Sequence, residues 1–254
     1  PHNPLINAGA IMTCSMIKPE LNIADRFEYV QGIWKSMSGE SHIGFNNSVY
    51  LSERQTADRN FALGYFMREN NAFPKNTNLQ EILEFYFQCC SLEINTKAMA
   101  IIASTLANGG VCPLTGKTVF SSATVKHCLA LMYSCGMYDF SGEYSFSIGL
   151  PSKSGVSGVV ITVIPNMMGM CSWSPRLDSL GNSVRGIEFF KELVNTYSFH
   201  NFDSLVREQS NKKDPRRNST QVEYHNIVDL AWAAARGDLK QIQSLVARGI
   251  DLNI

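Results

Sequence analysis

Ser15-Met-Ile-Lys18 puts a lysine three residues after a serine, one helical turn away, where an amine can take the hydroxyl proton and create a nucleophile. Two fixed letters around two free ones recur by chance, so the pair is a weak signal. Lys153-Ser154-Gly155 leads into a run of Val and Ile. A glycine there lets a substrate carbonyl approach the main chain, and the next N–H, that of Val156, is a natural oxyanion donor. Gly116-Lys117-Thr118 ends like a phosphate-binding loop, but Gly110 precedes it at the wrong spacing and a helix rather than a strand leads into it. The five histidines (His2, His42, His127, His200, His225) show no zinc-ligand spacing, so no metal site is expected. Glu84 with Glu93, and Glu53 with Asp58, could be paired carboxylates or simply helix-surface charges.

The elements that must carry these residues read as helices, then a strand-rich patch, then helix again. Ile23 to Met37 has an apolar face of Phe27, Val30, Ile33, Trp34 and Met37. Ser52 and Gln55 have capping-box spacing and open a helix towards Glu69. Asn78 caps the next helix, Thr96 to Ala107 is another, and Ser121 to Ser134 ends before Gly136. Gly158 to Pro165 is a buried strand, paired with Met170 to Ser174 across a turn at Asn166 to Gly169. Helix returns over Asn182 to Tyr197. Helices flanking adjacent antiparallel strands indicate an α+β domain.

Composition narrows the function classes. The 254 residues are 44% hydrophobic, with 22 basic and 22 acidic side chains and no net charge. That balance removes the electrostatic attraction nucleic-acid binders use. The run Val159 to Ile164 is the longest strongly apolar one, far too short to span a bilayer. Seven cysteines (Cys14, Cys89, Cys90, Cys112, Cys128, Cys135, Cys171) contain no C-x-x-C pair and read as free thiols of a reducing compartment. Residues 207–221 are polar and basic and read as a linker. From Ile227 to Asn253, an Ala-rich helix, a Gly237-Asp238 turn, a second helix and a strand-like Ile-Asp-Leu-Asn resemble an ankyrin repeat. One repeat cannot bury its own face, so more are expected to follow.

Four longer motifs occur in order: Pro1-His-Asn-Pro-Leu-Ile-Asn-Ala-Gly-Ala-Ile11, Ser52-Glu-Arg-x-x-x-Asp-Arg-Asn-Phe-Ala62, Ser134-Cys-Gly-Met-Tyr-Asp-Phe-Ser-Gly142 and Leu150-Pro-x-Lys-Ser-Gly-Val-x-Gly158. Together they resemble the glutaminases, and the ankyrin-like tail resembles the animal, phosphate-activated members. The resemblance implies a domain similar to serine β-lactamases and penicillin-binding proteins, a helical part packed on an antiparallel sheet, followed by an all-α ankyrin-like repeat. It divides the chain into a catalytic domain over 1–206, a linker over 207–221 and the start of ankyrin repeats over 222–254.

The activity implied is hydrolysis of L-glutamine to L-glutamate and ammonia through a serine acyl-enzyme. In the family the S-x-x-K serine and lysine precede the Pro-x-Asn-Pro segment, so they are expected before Pro1, leaving this piece inactive alone. Ser15 and Lys18 do not inherit their roles. By the same resemblance Asn7 contacts the amino-acid end of the substrate, Glu53 holds its α-ammonium and Asn60 helps bind its α-carboxylate. Tyr86 lines the pocket, Tyr138 relays the nucleophile's proton, the Val156 N–H serves the oxyanion hole and Lys153 supports the site electrostatically. No cofactor is implied, inorganic phosphate is the activator, the assembly is a homotetramer, the ankyrin segment is a candidate protein-binding surface and the location is mitochondrial. Two other readings stand beside this one: a penicillin-recognising type of serine hydrolase, supported by Lys153-Ser-Gly, and a non-catalytic ankyrin scaffold.

Overall fold

Side-chain caps decide where most helices of the first half begin, as the computed structural model, which describes residues 1–206, 210–216, 219–247 and 250, makes plain. After α1 (Asn7–Met16), which has no side-chain cap, Asn22 accepts from the Asp25 N–H and starts α2 (Ile23–Met37). A two-residue strand β1 (Gly44–Phe45) follows, and Asn46 then accepts from the Ser48 and Val49 N–H groups to start α3 (Asn47–Gln55). α4 (Asp58–Glu69) comes next, and Asn78 caps α5 (Leu79–Cys90). β2 (Leu92–Glu93) pairs antiparallel with β1, and Asn95 caps α6 (Thr96–Ala107). Such caps satisfy helix N–H groups that have no partner inside the helix.

α5 carries Leu79, Ile82, Leu83, Phe85, Tyr86 and Phe87 buried on nearly every side, which makes it the central helix of this half. Ile11 and Cys14 of α1 and Met67 of α4 join its core, and α1, α2, α3 and α4 all pack against it.

The second half is a sheet between helices. α7 (Ser122–Cys135) and α8 (Ser141–Ser147) lead to β3 (Ser152–Ser154), β4 (Val159–Ile164) and β5 (Met168–Trp173), and α9 (Val184–Thr196) follows. The strands form an antiparallel sheet in the order β3-β4-β5, with Lys153 opposite Ile161 and Val163 opposite Gly169. On one face Val163 packs with Ala103, Leu106 and Ala107 of α6 and with Val125 and Met132 of α7. Gly169 is required there, because a Cβ would stand 2.1 Å from the Ala103 carbonyl carbon and the Ser104 nitrogen. On the opposite face Ser152 donates to the Tyr144 hydroxyl at 2.9 Å and shares a 2.8 Å hydrogen bond with Thr162. The α+β expectation therefore matches the architecture.

Two local expectations are corrected. Ser52 caps nothing; α3 already runs through it, and the chain breaks at Thr56, whose hydroxyl bonds back to the Ser52 carbonyl, before α4 starts afresh. β5 starts at Met168, so Gly169 belongs to a strand pressed on α6 and not to the turn.

The chain divides into two compact units, Pro1–Val194 with Phe199–Phe202, and Asn195–Ser198 with the residues from Asp203 on. In the second, α10 (Ser219–Arg236) and α11 (Leu239–Ala247) are joined at Gly237 (φ +68°), with Asp238 accepting from the Gln241 N–H to cap α11. α10 begins inside the segment read as a linker, of which residues 207–209 and 217–218 lie outside the described ones, as does most of the strand expected over Ile250 to Asn253. Among the described residues no helix is long and apolar enough to cross a membrane.

Candidate active site

Two of the predicted residues meet across distant motifs. Asn7 is the first residue of α1, and its Nδ2 donates to Oδ1 of Asn60 on α4 at 3.0 Å. A third, Glu53, lies on α3 within electrostatic reach of Tyr86 on α5. Burial pushes the Tyr86 phenol up, the neighbouring Cys90 raises it further, and the Glu53 carboxylate adds to the rise. Asn7 with Asn60 and Glu53 with Tyr86 are thus two pairs, carried by α1, α3 and α4, which all pack against α5.

Tyr138 and Lys153 form a second group on the sheet side. Tyr138 opens a single helical turn, Tyr138–Phe140, with φ at +55°, a left-handed conformation rare for a residue with a bulky side chain. Neighbours hold it there. The Ser141 hydroxyl accepts from the Met137 N–H at 2.9 Å and donates to the Tyr138 carbonyl at 2.7 Å, while Asn182 Nδ2 donates to the Met137 carbonyl. Gly181, itself at φ +91°, lies beside the ring, and a Cβ there would make ordinary contact at 3.6 Å with Cδ2 and Cε2.

The Ser154 N–H donates to the Gly136 carbonyl, joining β3 to the end of α7, and this brings the Lys153 ammonium 4.9 Å from the Tyr138 ring centroid. Cation and π-face attract at that separation. Burial lowers the Lys153 pKa below its ordinary value, with Cys135 opposing the shift, and burial raises that of Tyr138. Burial thus favours the neutral form of each, the free amine and the protonated phenol.

Val156 projects its side chain into solvent, 74% exposed, in the turn between β3 and β4. Gly155 and Gly158 close that turn through Gly155 N–H to Val159 and Gly158 N–H to Gly155. Among the described residues the Val156 N–H has no main-chain acceptor, which leaves it available as a donor. No hydrogen bond, ion pair or ring contact among the described residues joins the Tyr138–Lys153 group to the helical group.

Other sequence candidates are separated. Ser15 is buried and donates to the Met12 carbonyl, whereas Lys18 lies past the end of α1 and pairs with Glu20 at 3.8 Å. Lys117 reaches Ser36 rather than a phosphate cradle. The carboxylates are not paired: Glu93 accepts from Asn46 Nδ2, and Glu84 takes the Tyr50 hydroxyl and Arg54 of α3. That last cluster escaped sequence reasoning, since the only available signal was a row of helix-surface charges. No group of three or more His, Cys, Asp or Glu among the described residues could hold a metal ion. A cleft of 730 Å³ lined by His42, Glu93, Asn95, Val159 and Trp173 contains none of the seven residues to which the resemblance gives a role.

The family model described as Glutaminase matches residues 1–202. The chain is 46% identical over 252 residues to the glutaminase liver isoform, mitochondrial, of Rattus norvegicus, covering 99% of this chain and 42% of that protein. It is 40% identical to a glutaminase of Nostoc sp., covering 81% of this chain and 60% of the relative. A crystal structure of Bacillus glutaminase in the presence of 4.3 M NaCl superposes with a TM-score of 0.75 at 32% identity, over 80% of this chain and 68% of the other. The chain thus spans 42% of the length of the rat relative.

Proposed function

The chain belongs to the glutaminase family, and from that premise we propose that the full protein hydrolyses the side-chain amide of L-glutamine, releasing L-glutamate and ammonia. The observation that carries the reading is the Asn7–Asn60 hydrogen bond. It unites two motifs 53 residues apart in a polar pair suited to an amino-acid carboxylate. An amide can donate to the carboxylate, and a carboxylate such as Glu53 can hold the α-ammonium nearby.

The reaction we infer is a serine acyl transfer on a domain similar to serine β-lactamases. The serine hydroxyl attacks the substrate Cδ carbonyl, and its proton passes by way of Tyr138 to the leaving ammonia. The Val156 N–H stabilises the oxyanion, and water then frees glutamate from the ester. The Lys153 ammonium over the ring favours negative charge on the phenol oxygen during the transfer. By the family resemblance the nucleophile and base belong to an S-x-x-K pair outside these 254 residues; Ser15, bonded to the Met12 carbonyl, and Lys18, paired with Glu20, do not take those roles. The α10–α11 helix pair supports an ankyrin-like repeat and with it a protein-binding surface. A homotetramer promoted by phosphate and a mitochondrial location complete the reading; the named location of the rat relative supports the latter.

The test is ammonia release from L-glutamine by the full-length protein, with and without phosphate, while light scattering follows the mass of the assembly. Release that rises with phosphate alongside a tetramer mass is expected. No release under any phosphate concentration would sink the assignment.

A further inference from the structure

Glu84 stands on α5 two residues before Tyr86, and α3 supplies donors to both of its oxygens. The Tyr50 hydroxyl donates to Oε2 at 2.5 Å, and Arg54 Nε donates to Oε1 at 2.9 Å. Tyr50 and Arg54 are four residues apart and so share one face of α3, with Glu53 beside them. Two donors on two oxygens restrain both the roll of the helix and its height along α5, which a single contact could not do.

α3 needs such a restraint. It is nine residues long and buries none of them fully, and its apolar anchor is the Tyr50 ring, half-buried against the core, whose hydroxyl is one of the two donors to Glu84. Its polar ties are the Asn46 cap, itself bonded to Glu93, and the Glu84 clamp. The ion pair with Arg54, whose side chain is 57% exposed, adds little stability in water. Its effect is geometric.

We propose that Glu84 is a positioning residue for substrate recognition: through Tyr50 and Arg54 it sets where Glu53 stands opposite Tyr86, and hence how well the α-ammonium of the substrate is held. The inference rests on the glutaminase reading and on the ammonium-binding role given to Glu53. Because that contact is made in the ground state and retained in the transition state, its loss weakens binding more than it slows chemistry.

The test measures ammonia release from L-glutamine at fixed phosphate in the full-length protein, for Glu84→Ala, Glu84→Gln and the Tyr50→Phe/Arg54→Ala pair, with melting temperatures alongside. KM is expected to rise about ten-fold in Glu84→Ala and in the paired variant, with kcat within about two-fold of the parent. Glu84→Gln, which still accepts from Tyr50 but cannot pair with the guanidinium, should fall between. If Glu84→Ala does not fold, Glu84→Gln and Tyr50→Phe are read in its place. An unchanged KM in these variants, or a loss of kcat that merely follows melting temperature, overturns the proposal. Failure of the parent protein itself to release ammonia overturns the glutaminase reading instead.

Discussion

Tyr138 is held in place by its backbone and its ring rather than by its hydroxyl. Its left-handed main chain is fixed by Ser141 and Asn182, and its ring has the Lys153 ammonium over it and Gly181 near its edge. Tyr138→Phe should therefore fold normally, with an unchanged melting temperature, yet lose about 10²–10⁴-fold in kcat if the phenol relays the proton. Steady-state kinetics with a thermal melt read both at once. Lys153 makes a pH prediction. Burial lowers its pKa in the folded state, so between that value and 10.5 the folded chain binds fewer protons than the unfolded one. The burial penalty is full below the lowered value and fades as pH climbs to 10.5. Urea midpoints should show the parent gaining on Lys153→Met over that alkaline window; parallel curves would mean the amine is not buried. Lys153 drew attention through its Lys-Ser-Gly motif and Tyr138 only through the family resemblance, and their approach to 4.9 Å was not readable from either. The role of Glu84 was not legible, since its partners are 30 and 34 residues away and only the packing of α3 on α5 brings them to it.

Helix ends and one close approach carry the element scale. Asn46 caps α3 and also reaches Glu93, thereby tying the helix to the end of α5 through β2. Asn46→Ala should lower stability by about 1 kcal/mol, the usual loss for a cap, measurable by urea denaturation. Gly169→Ala should be far worse. The added methyl would meet main-chain atoms of α6, which cannot yield as a flexible side chain can, so overpacking of about 1–3 kcal/mol is a lower expectation and insoluble expression a plausible readout. A soluble variant with the parent's melting temperature would show that α6 does not rest on β5. α2, α5, α6 and α7, each amphipathic or ended by a clear stop, were readable in advance. α1 was not, because Ile6 precedes it without a side-chain cap and its apolar residues are spread around it rather than on one face. The break between α3 and α4 was hidden for a related reason: polar residues run through it, and the Thr56 bond to Ser52 that ends α3 is a feature of folded geometry.

At the scale of the whole molecule, all seven cysteines are free thiols, as their spacing suggested. Seven should react per chain in denaturant without reductant, and a count of five would reveal a disulfide. The α+β class was legible because helical periodicity gives way to an apolar β-run and then returns. The order of the three strands and the faces they present were not, since these depend on which helix covers which side. The buried hydroxyls of Ser152, Thr162 and Tyr144 bear on a different matter, the fidelity of assembly. A hairpin that closed one residue out of step would turn every side chain of β3 through the sheet. Ser152 would lose its hydroxyl partners, and Lys153 would point away from Tyr138. The three hydroxyls therefore favour the native register, since a misthreaded strand would leave them buried without partners.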